Sequence, residues 1–512
     1  MRARLINALI LALIFGVQVA VAQQFTPPEP DFDQYVEKAM KEWEVPGLAI
    51  AVVKDDRIVF AKGYGVRELG GTAPVNEQTL FAIGSSSKAF TAATVALLVD
   101  EGKIKWDDPV TKYLPAFQLF DPYSTREMTV RDLLTHRSGL ERGDLLWYAS
   151  PYDRNEVLRR VRFLKPSWSV RSRFGYQNIM FLAAGQMMPA VTGKEWDDVV
   201  RERIFVPLGM NASNTSIRKF AGVGNVASPH SKIDDKLQKV AWRNIDNIGP
   251  AGSINSNVID MAQWIRMNLG GGTYEKKKVL SPAAVKEMQT PQTIIRIEGN
   301  NERLYPEAHF LSYGLGWFLS DFRGRKLVEH GGAIDGMRSS VAMLPEEKLG
   351  VVVLTNRHGS VLPHVLMYRV FDAYLGVAKR DWSAEILKKF KALEDQAKIA
   401  EKKVEAERVK GTSPSLAIEK YAGTYQNEMY GETKFAVKDG KLISEFGPNF
   451  NGDLEHWHYD TFRVVWRDRM EGKGFVVFKL NAKAQPETVT IDGLGDFTRV
   501  PEKPAPGAVS SK

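Results

Sequence analysis

The stretch Phe81-Ala82-Ile83-Gly84-Ser85-Ser86-Ser87-Lys88-Ala89-Phe90-Thr91-Ala92, continued by small and apolar residues to Val99, limits the chain's folds most tightly. Gly84 reads as a tight entry into a helix, and the run from Ala89 to Val99 ends before Gly102. A helix without a polar face has to be covered on all sides, so the rest of the chain must be layered around it. Ser85 and Lys88 stand three apart and therefore share a face, one turn from each other. A serine hydroxyl is a poor nucleophile until a base takes its proton. An amine serves as that base only when neutral, and burial at an apolar helix start drives a lysine toward that state. The helix N-terminus adds partial positive charge where an alkoxide or oxyanion would form. Ser216-Ile217-Arg218-Lys219 has the same spacing, but it follows the polar turn Asn211 to Asn214 and leads into no apolar run, so it reads as a surface turn.

The chain start bears on compartment. Arg2 and Arg4 precede an apolar stretch from Leu5 to Val21 that ends in Ala20-Val21-Ala22 before Gln23, the pattern of a signal peptide removed after residue 22. The expectation is an exported protein, periplasmic or secreted, with no stable membrane insertion once the leader is gone, since no other stretch is long and apolar enough to span a bilayer. The sequence has 0 cysteines, which excludes disulfides and thiol catalysis and leaves core burial to hold the fold. The formal charge of +8 comes from scattered rather than massed basic residues. That distribution favours solubility and argues against a nucleic-acid partner.

Along the chain, Phe32 to Glu44 is amphipathic with helical spacing, and Leu48 to Val53 and Arg57 to Lys62 are β-rich runs joined by Lys54-Asp55-Asp56, a hairpin. Helical periods then dominate: Thr129 to Thr135, Asn155 to Leu164, Ile179 to Val191, Asp197 to Phe205 and Val258 to Leu269. Strands return at Gly316 to Ser320, Lys326 to Glu329, Ser339 to Leu344 and Val351 to Leu354, before a helix from about Val361 to Leu375. Two early strands, several late ones and helices between predict an α/β domain over 23–378, its sheet built from both chain ends and faced by helices. Residues 379–415 are rich in Lys, Glu and Ala and read as a charged helical linker. From 416 to 502 the period becomes two, with six strand-like runs: Tyr421 to Tyr425, Lys434 to Val437, Lys441 to Phe446, Thr461 to Trp466, Phe475 to Leu480 and Thr488 to Ile491. They predict a small all-β domain, barrel or sandwich. Because the linker has few apolar positions, this domain is expected to be separable, with a chain ending near Ala378 folding by itself. Residues 503–512 form a Pro/Ala/Ser tail expected to be disordered.

A Ser-x-x-Lys site also needs a proton relay and a second oxyanion donor. Tyr176-Gln177-Asn178 supplies a phenol to shuttle protons and an amide able to bond lysine and substrate; Tyr425-Gln426-Asn427 repeats those letters, but inside the β domain. His330-Gly331-Gly332-Ala333 follows the strand Lys326 to Glu329, and its glycines let a substrate carbonyl approach the backbone, so that the Ala333 N–H would pair with that of Ser85. The polar segment Arg243 to Ser256 carries Asn247 as a candidate substrate-binding amide, and Arg338 is a candidate cation on the strand after Ala333. His456-Trp457-His458 would place two imidazoles on one strand face, yet with no carboxylate or Cys motif beside them they read as surface histidines, and neither a metal nor a cofactor is expected.

In order and spacing, Ser85-x-x-Lys88, Tyr176-x-Asn178 and His330-x-Gly332 resemble the β-lactamase-related serine hydrolases, a group that holds class C β-lactamases, DD-peptidases, D-aminopeptidases and esterases. The stretches Leu133-Leu134-Thr135-His136-Arg137-Ser138-Gly139-Leu140 and Tyr313-Gly314-Leu315-Gly316-Trp317 agree with it, and the resemblance covers about residues 30 to 377. It implies an α/β sandwich with an antiparallel sheet and a helical subdomain, and Ser85, Lys88, Tyr176, Asn178, His330 and Ala333 as catalytic positions. Gly331, Gly332, Asn247 and Arg338 would bind substrate. The β domain is similar to lipocalin-like domains appended to some exported members. Penicillin-recognising members usually carry Lys-Thr-Gly or Lys-Ser-Gly where this chain has His330-Gly331-Gly332, so the expected substrate is a small peptide, amide or ester. A β-lactamase, or a penicillin-binding sensor without turnover, is the alternative.

Overall fold

The computed structural model describes residues 26–447 and 450–501; the expected leader and the Pro/Ala/Ser tail fall outside the described residues. The N-terminal domain is built on an eight-stranded antiparallel sheet. Its strands are β1 (Gly47–Lys54), β2 (Arg57–Gly65), β3 (Thr293–Ile295), β4 (Leu311–Tyr313), β5 (Phe318–Phe322), β6 (Arg325–Ile334), β7 (Met337–Leu344) and β8 (Leu349–Thr355). The spatial order is β2-β1-β8-β7-β6-β5-β4-β3, so the two chain ends meet where β1 pairs with β8, Ile50 opposite Val353.

β1 shows why the sheet's central runs carry no apolar/polar alternation: both of its faces are covered. Leu48, Ile50 and Val52 pack with helices α1 (Phe32–Glu42) and α5 (Leu362–Leu375). Ala49, Ala51 and Val53 face the other layer, which contains α2 (Ser87–Asp100), α3 (Asn178–Thr192) and α4 (Val258–Leu269). Within α2 every residue from Ser87 to Leu98 is buried, as expected for a helix lacking a polar face.

Strand β6 runs on through His330-Gly331-Gly332-Ala333 to Ile334, beyond the end expected at Glu329. Glycine disfavours strands, but here Gly331 and Gly332 pair with Ser340 and Ser339 of β7, and that ladder outweighs local propensity. On its other side β6 loses its partner: pairing with β5 ends at Phe318 opposite Glu329. His330 to Ile334 therefore present a free strand edge.

The C-terminal domain is a closed barrel of eight strands in sequence order, β9 (Gly423–Asn427), β10 (Gly431–Lys438), β11 (Lys441–Phe446), β12 (Phe450–His458), β13 (Thr461–Trp466), β14 (Lys473–Leu480), β15 (Pro486–Ile491) and β16 (Gly495–Arg499). It closes where Tyr425 of β9 lies opposite Arg499 of β16. Six strands were expected. β12 is masked in sequence by Asn, Asp, Glu and His at its outward positions and by a Gly at an inward one, and β16 by its short Gly-Asp start. Aromatic residues fill the interior, among them Tyr425, Phe435, Phe462, Phe478 and Phe497. Tyr425 of the second Tyr-x-Asn copy is thus a core residue. A bulge separates His456 from His458 in β12; His456 Nε2 donates to Tyr459 O at 3.0 Å, and His458 Nδ1 accepts from Val409 N at 3.3 Å.

The linker forms α6 (Trp382–Ala406), whose buried residues are Trp382, Ser383 and Ile386. The barrel also grips the N-terminal domain elsewhere, which corrects the expectation of a domain with little interface. Tyr152 donates to Tyr430 O at 2.8 Å, and Arg160 donates to Glu428 O and Met429 O at 3.0 and 3.1 Å. Met429 is part of the N-terminal domain's core, while Ala149 belongs to the barrel core, with Leu145 and Tyr148 packed against it. Segment 142–152 is thereby sandwiched between the two.

The first turn of α6 is anchored. Trp382 is fully buried, stacks on Tyr368 at 4.7 Å and donates to Asp372 Oδ2 at 2.7 Å. Trp382→Ala should cost about 3–5 kcal/mol in urea unfolding, as large-to-small core changes of an aromatic do; a loss below about 1 kcal/mol would show that α6 is only a spacer.

Candidate active site

Ser85 lies in the 3₁₀ turn Gly84–Ser86 that feeds α2. Two glycines bring this turn against β6 more closely than side chains would permit. Gly84 has φ of +52°, and a Cβ there would stand 2.6 Å from Ala333 N. A Cβ on Gly332 would stand 1.8 Å from Ile83 O. Hydroxyls complete the clamp: Ser86 Oγ donates to His330 O at 2.9 Å, and Ser339 Oγ to Ile83 O at 2.7 Å. The backbone amide of Ala333 is thus set beside the turn that carries Ser85.

Lys88 has no solvent exposure, and its Nζ donates to Ser85 Oγ at 3.0 Å and to Ala251 O at 2.8 Å. Burial drives the pKa of Lys88 well below that of an ordinary lysine; Asp144 works against this and Arg142 assists it. Burial raises the pKa of the Tyr176 phenol, and the neighbouring Ser85 works in the other direction. Lys88 Nζ lies 4.8 Å from the centroid of the Tyr176 ring. His136, fully buried at a φ of +54°, backs that ring at 4.1 Å and accepts from Gln177 N at 3.0 Å.

The other candidates divide. Asn178, the first residue of α3, donates to Asp144 Oδ1 at 2.8 Å, so its amide is engaged with the 142–152 segment rather than with Lys88. His330 is buried, and burial, helped by the nearby Lys88, lowers its pKa to about 3. Its Nδ1 lies 2.6 Å from Gly331 O, which can only accept, so Nδ1 carries the proton and Nε2 accepts from the Tyr313 hydroxyl at 2.9 Å. The imidazole is a neutral fixture of the strand. Arg338 lies opposite Ala333 in the β6–β7 ladder, and its Nε has no hydrogen-bond partner among the described residues. Asn247 is outside the cavity lining and braces the wall instead, donating to Trp147 O at 2.8 Å and Tyr152 O at 3.0 Å. Ser216 caps the short turn Ile217–Phe220 and donates to Asp246 at 2.9 Å.

Ser85, Tyr176, Asn178, Gly331, Gly332, Ala333 and Arg338 all line one cavity of about 480 Å³ that opens along the free edge of β6. Its remaining wall includes Trp147, Tyr148, Ile245 and Ile248, none of which sequence reasoning singled out. Asp144 and the Ala251 carbonyl were missed for the same reason: they belong to irregular segments with no period or motif. His136 sits in a recognised stretch, Leu133 to Leu140, whose task becomes visible only once the ring is seen behind Tyr176. Among the described residues no group of three His, Cys, Asp or Glu side chains is arranged to hold a metal ion.

Residues 32–374 match the family model described as Beta-lactamase, and the chain belongs to that family of serine hydrolases. Residues 407–503 match a second model, described as Domain of unknown function (DUF3471). The chain is 31% identical over 429 residues to Unguisins hydrolase ungD' of Aspergillus campestris, covering 79% of this chain and 77% of that one. It is 24% identical over 347 residues to Protein flp of Staphylococcus aureus, 66% of this chain and 65% of the relative. Among solved structures, the octameric penicillin-binding protein homologue from Pyrococcus abyssi superposes with a TM-score of 0.61 at 22% identity, over 91% of this chain and 99% of that one. A D-stereospecific amidohydrolase from Streptomyces gives 0.54 at 23% identity, over 67% and 99%. Both share the fold.

The glycine clamp can be tested directly. A methyl on Gly332 has no room beside the Ile83 carbonyl, so Gly332→Ala should push β6 from the nucleophile turn. The expected result is a loss of catalytic efficiency of about a hundredfold or more, the scale of removing one oxyanion donor, or loss of folded protein. Gly331, where a Cβ would meet Ser339 O at an ordinary 3.4 Å, should tolerate alanine far better. Equal effects at the two positions would refute the clamp.

Proposed function

We propose that this protein is an exported serine hydrolase that cleaves an amide or ester bond through an acyl-enzyme on Ser85. The observation that carries the reading is the buried Lys88 amine, 3.0 Å from Ser85 Oγ. A neutral Lys88 takes the Ser85 proton as Oγ attacks the substrate carbonyl. The N–H groups of Ser85 and Ala333 hold the oxyanion. Tyr176, which lines the same cavity as Ser85, passes a proton to the leaving group, and water then releases the acyl chain. A relative named as a hydrolase and aligned over 79% of the chain supports hydrolysis. Export rests on Arg2, Arg4, the apolar run and Ala20-Val21-Ala22.

His330 is neutral and buried where penicillin-recognising members place a lysine, which supports esters and peptides lacking a carboxylate next to the scissile bond. A second reading has its own observation: Arg338, whose Nε is unpartnered on the cavity wall, would meet a substrate carboxylate, as a β-lactamase or penicillin-binding sensor requires.

Incubation with a fluorophosphonate, followed by intact mass, should give one adduct on a chain that begins at Gln23. Ser85→Ala should abolish the adduct and lower turnover by at least about a thousandfold, while Ser216→Ala should change turnover by less than about twofold. Comparable losses from both would sink the assignment. A nitrophenyl ester, a D-alanyl anilide and a chromogenic cephalosporin then separate the substrate readings: a cephalosporin preferred by the wild type and lost in Arg338→Met selects the second, and a persistent cephalosporin adduct means a sensor.

The pH dependence has a definite sign. Lys88 acts as the neutral amine and its pKa is lowered by burial, so acylation should rise with pH through a value well below the ordinary 10.5 and level off above it. An acylation limb at or above the ordinary lysine value, measured by stopped-flow labelling, would remove Lys88 as the base.

A further inference from the structure

Among the links between the barrel and the active-site wall, one arginine stands at a cluster of charges. Arg243 is 11% exposed and is surrounded by carboxylates from both domains. Its Nε donates to Asp335 Oδ2 at 2.7 Å, and its Nη2 donates to Asp468 Oδ2 at 2.6 Å and Glu471 Oε1 at 3.4 Å. Asp468 and Glu471 belong to the barrel turn between β13 and β14. Asp335 stands two residues after Ala333, in the turn between β6 and β7, and it accepts from the Tyr148 hydroxyl at 2.8 Å. Tyr148 in turn packs under the Arg243 guanidinium at 4.7 Å. Both Asp335 and Tyr148 line the cavity that holds Ser85. Next to Tyr148, Trp147 donates to Asp144 Oδ1 at 2.9 Å, the same oxygen that receives Asn178.

We propose that Arg243, gripped by Asp468 and Glu471 of the barrel, is a positioning residue that sets the Tyr148 wall and the β6 end beside Ala333, and that the barrel acts as a proton-sensitive clasp on substrate binding. The proposal builds on the assignment of Ser85 as nucleophile but concerns the wall, not the reacting atoms.

The sign follows from the groups around Glu471. Facing it are Arg243 and Tyr148, which favour its ionised form, and Asp335 and Asp468, which oppose it; Arg469 of the same turn is bound to Asp234 at 2.5 Å. Burial is the largest influence and lifts Glu471 from an ordinary 4.5 to about 7. The docked clasp therefore keeps a proton that an undocked Glu471 would release. By linkage, docking is strongest at low pH and weakens progressively as pH rises toward 7.

The test uses the full chain and two variants. In the wild type, KM should rise about fivefold between pH 6 and 8.5, a part of the range that such a shift permits. Glu471→Gln, which fixes the uncharged form, should keep the low KM throughout. Arg243→Met should raise KM about tenfold at every pH while kcat stays within about threefold, the split expected when binding but not chemistry is disturbed. Hydrogen exchange of segment 142–152, corrected for intrinsic rate, should increase between about pH 5 and 7 and level off above that in the wild type but not in Glu471→Gln, and this readout needs no turnover. A Glu471→Gln profile that follows the wild type in both KM and exchange overturns the clasp, as does an Arg243→Met variant that loses kcat with KM unchanged. Absence of a fluorophosphonate adduct in the wild type would instead fall on the nucleophile assignment, leaving the exchange result to judge the clasp.

Discussion

A lysine ammonium sealed from water, with a hydroxyl and a backbone carbonyl as its hydrogen-bond partners, is unstable as a cation, and the architecture serves to keep Lys88 in that position. α2 achieves this by being buried along its length, which requires a sheet on one side and helices on the others. Glu329, close by on β6, is itself engaged with Tyr305 and His364, and Asp144 with Asn178, Trp147 and Arg142. Neither carboxylate is hydrogen-bonded to the amine, although Asp144 pulls on it at longer range. A direct ion pair there would restore the proton and remove the base.

The second constraint is steric and falls on backbone rather than side chains. Oxyanion donors have to converge on one point, and amides from a helix entry and from a strand can do so only if the two backbones nearly touch. Gly84 and Gly332 permit that approach, and Ser86 and Ser339 hold it with hydrogen bonds that also satisfy buried carbonyls. The free edge of β6 follows from the same geometry, because β5 stops at Phe318 and leaves the strand open to the cavity.

These two constraints explain what was legible. Burial of α2 writes itself as a run of small and apolar residues, and close approach writes itself as glycine, so the helix, the nucleophile turn and the His330-Gly331-Gly332 strand could be read from residue types alone. Polar partners leave no such trace. Nothing in the local sequence of Asn178 reveals that its amide faces Asp144, 34 positions earlier, and Asn247 looks like a binding residue although it holds two carbonyls of the wall. His330 could be recognised as an unusual residue for its place, but its neutrality depends on Tyr313 and on burial, both supplied by the fold. Strands β12 and β16 were hidden because a barrel wall needs apolar residues only at inward positions: β12 presents Asn, Asp, Glu and His outward and spends an inward position on Gly452, and β16 presents Asp and Thr outward.

The barrel illustrates how a linker misleads. Charge and a lack of apolar positions in α6 correctly describe its exposed body, yet the contact between domains is made by segments without any periodic signal: 142–152 on one side, and on the other the turns around Met429 and Asp468. Loops that join regular elements are free to diverge in sequence while their backbone carbonyls and a few charged side chains do the docking. A domain attached only through α6 would be held at one point and would swing. With Arg160 on the Glu428 and Met429 carbonyls, Tyr152 on Tyr430 and Arg243 on Asp468, it is held at several, and each of these three hydrolase residues lies close in sequence or in space to the wall of the Ser85 cavity. The placement of the barrel is therefore part of the cavity's shape, and the wall bearing Trp147 and Tyr148 is a two-domain structure although every residue lining the cavity comes from one.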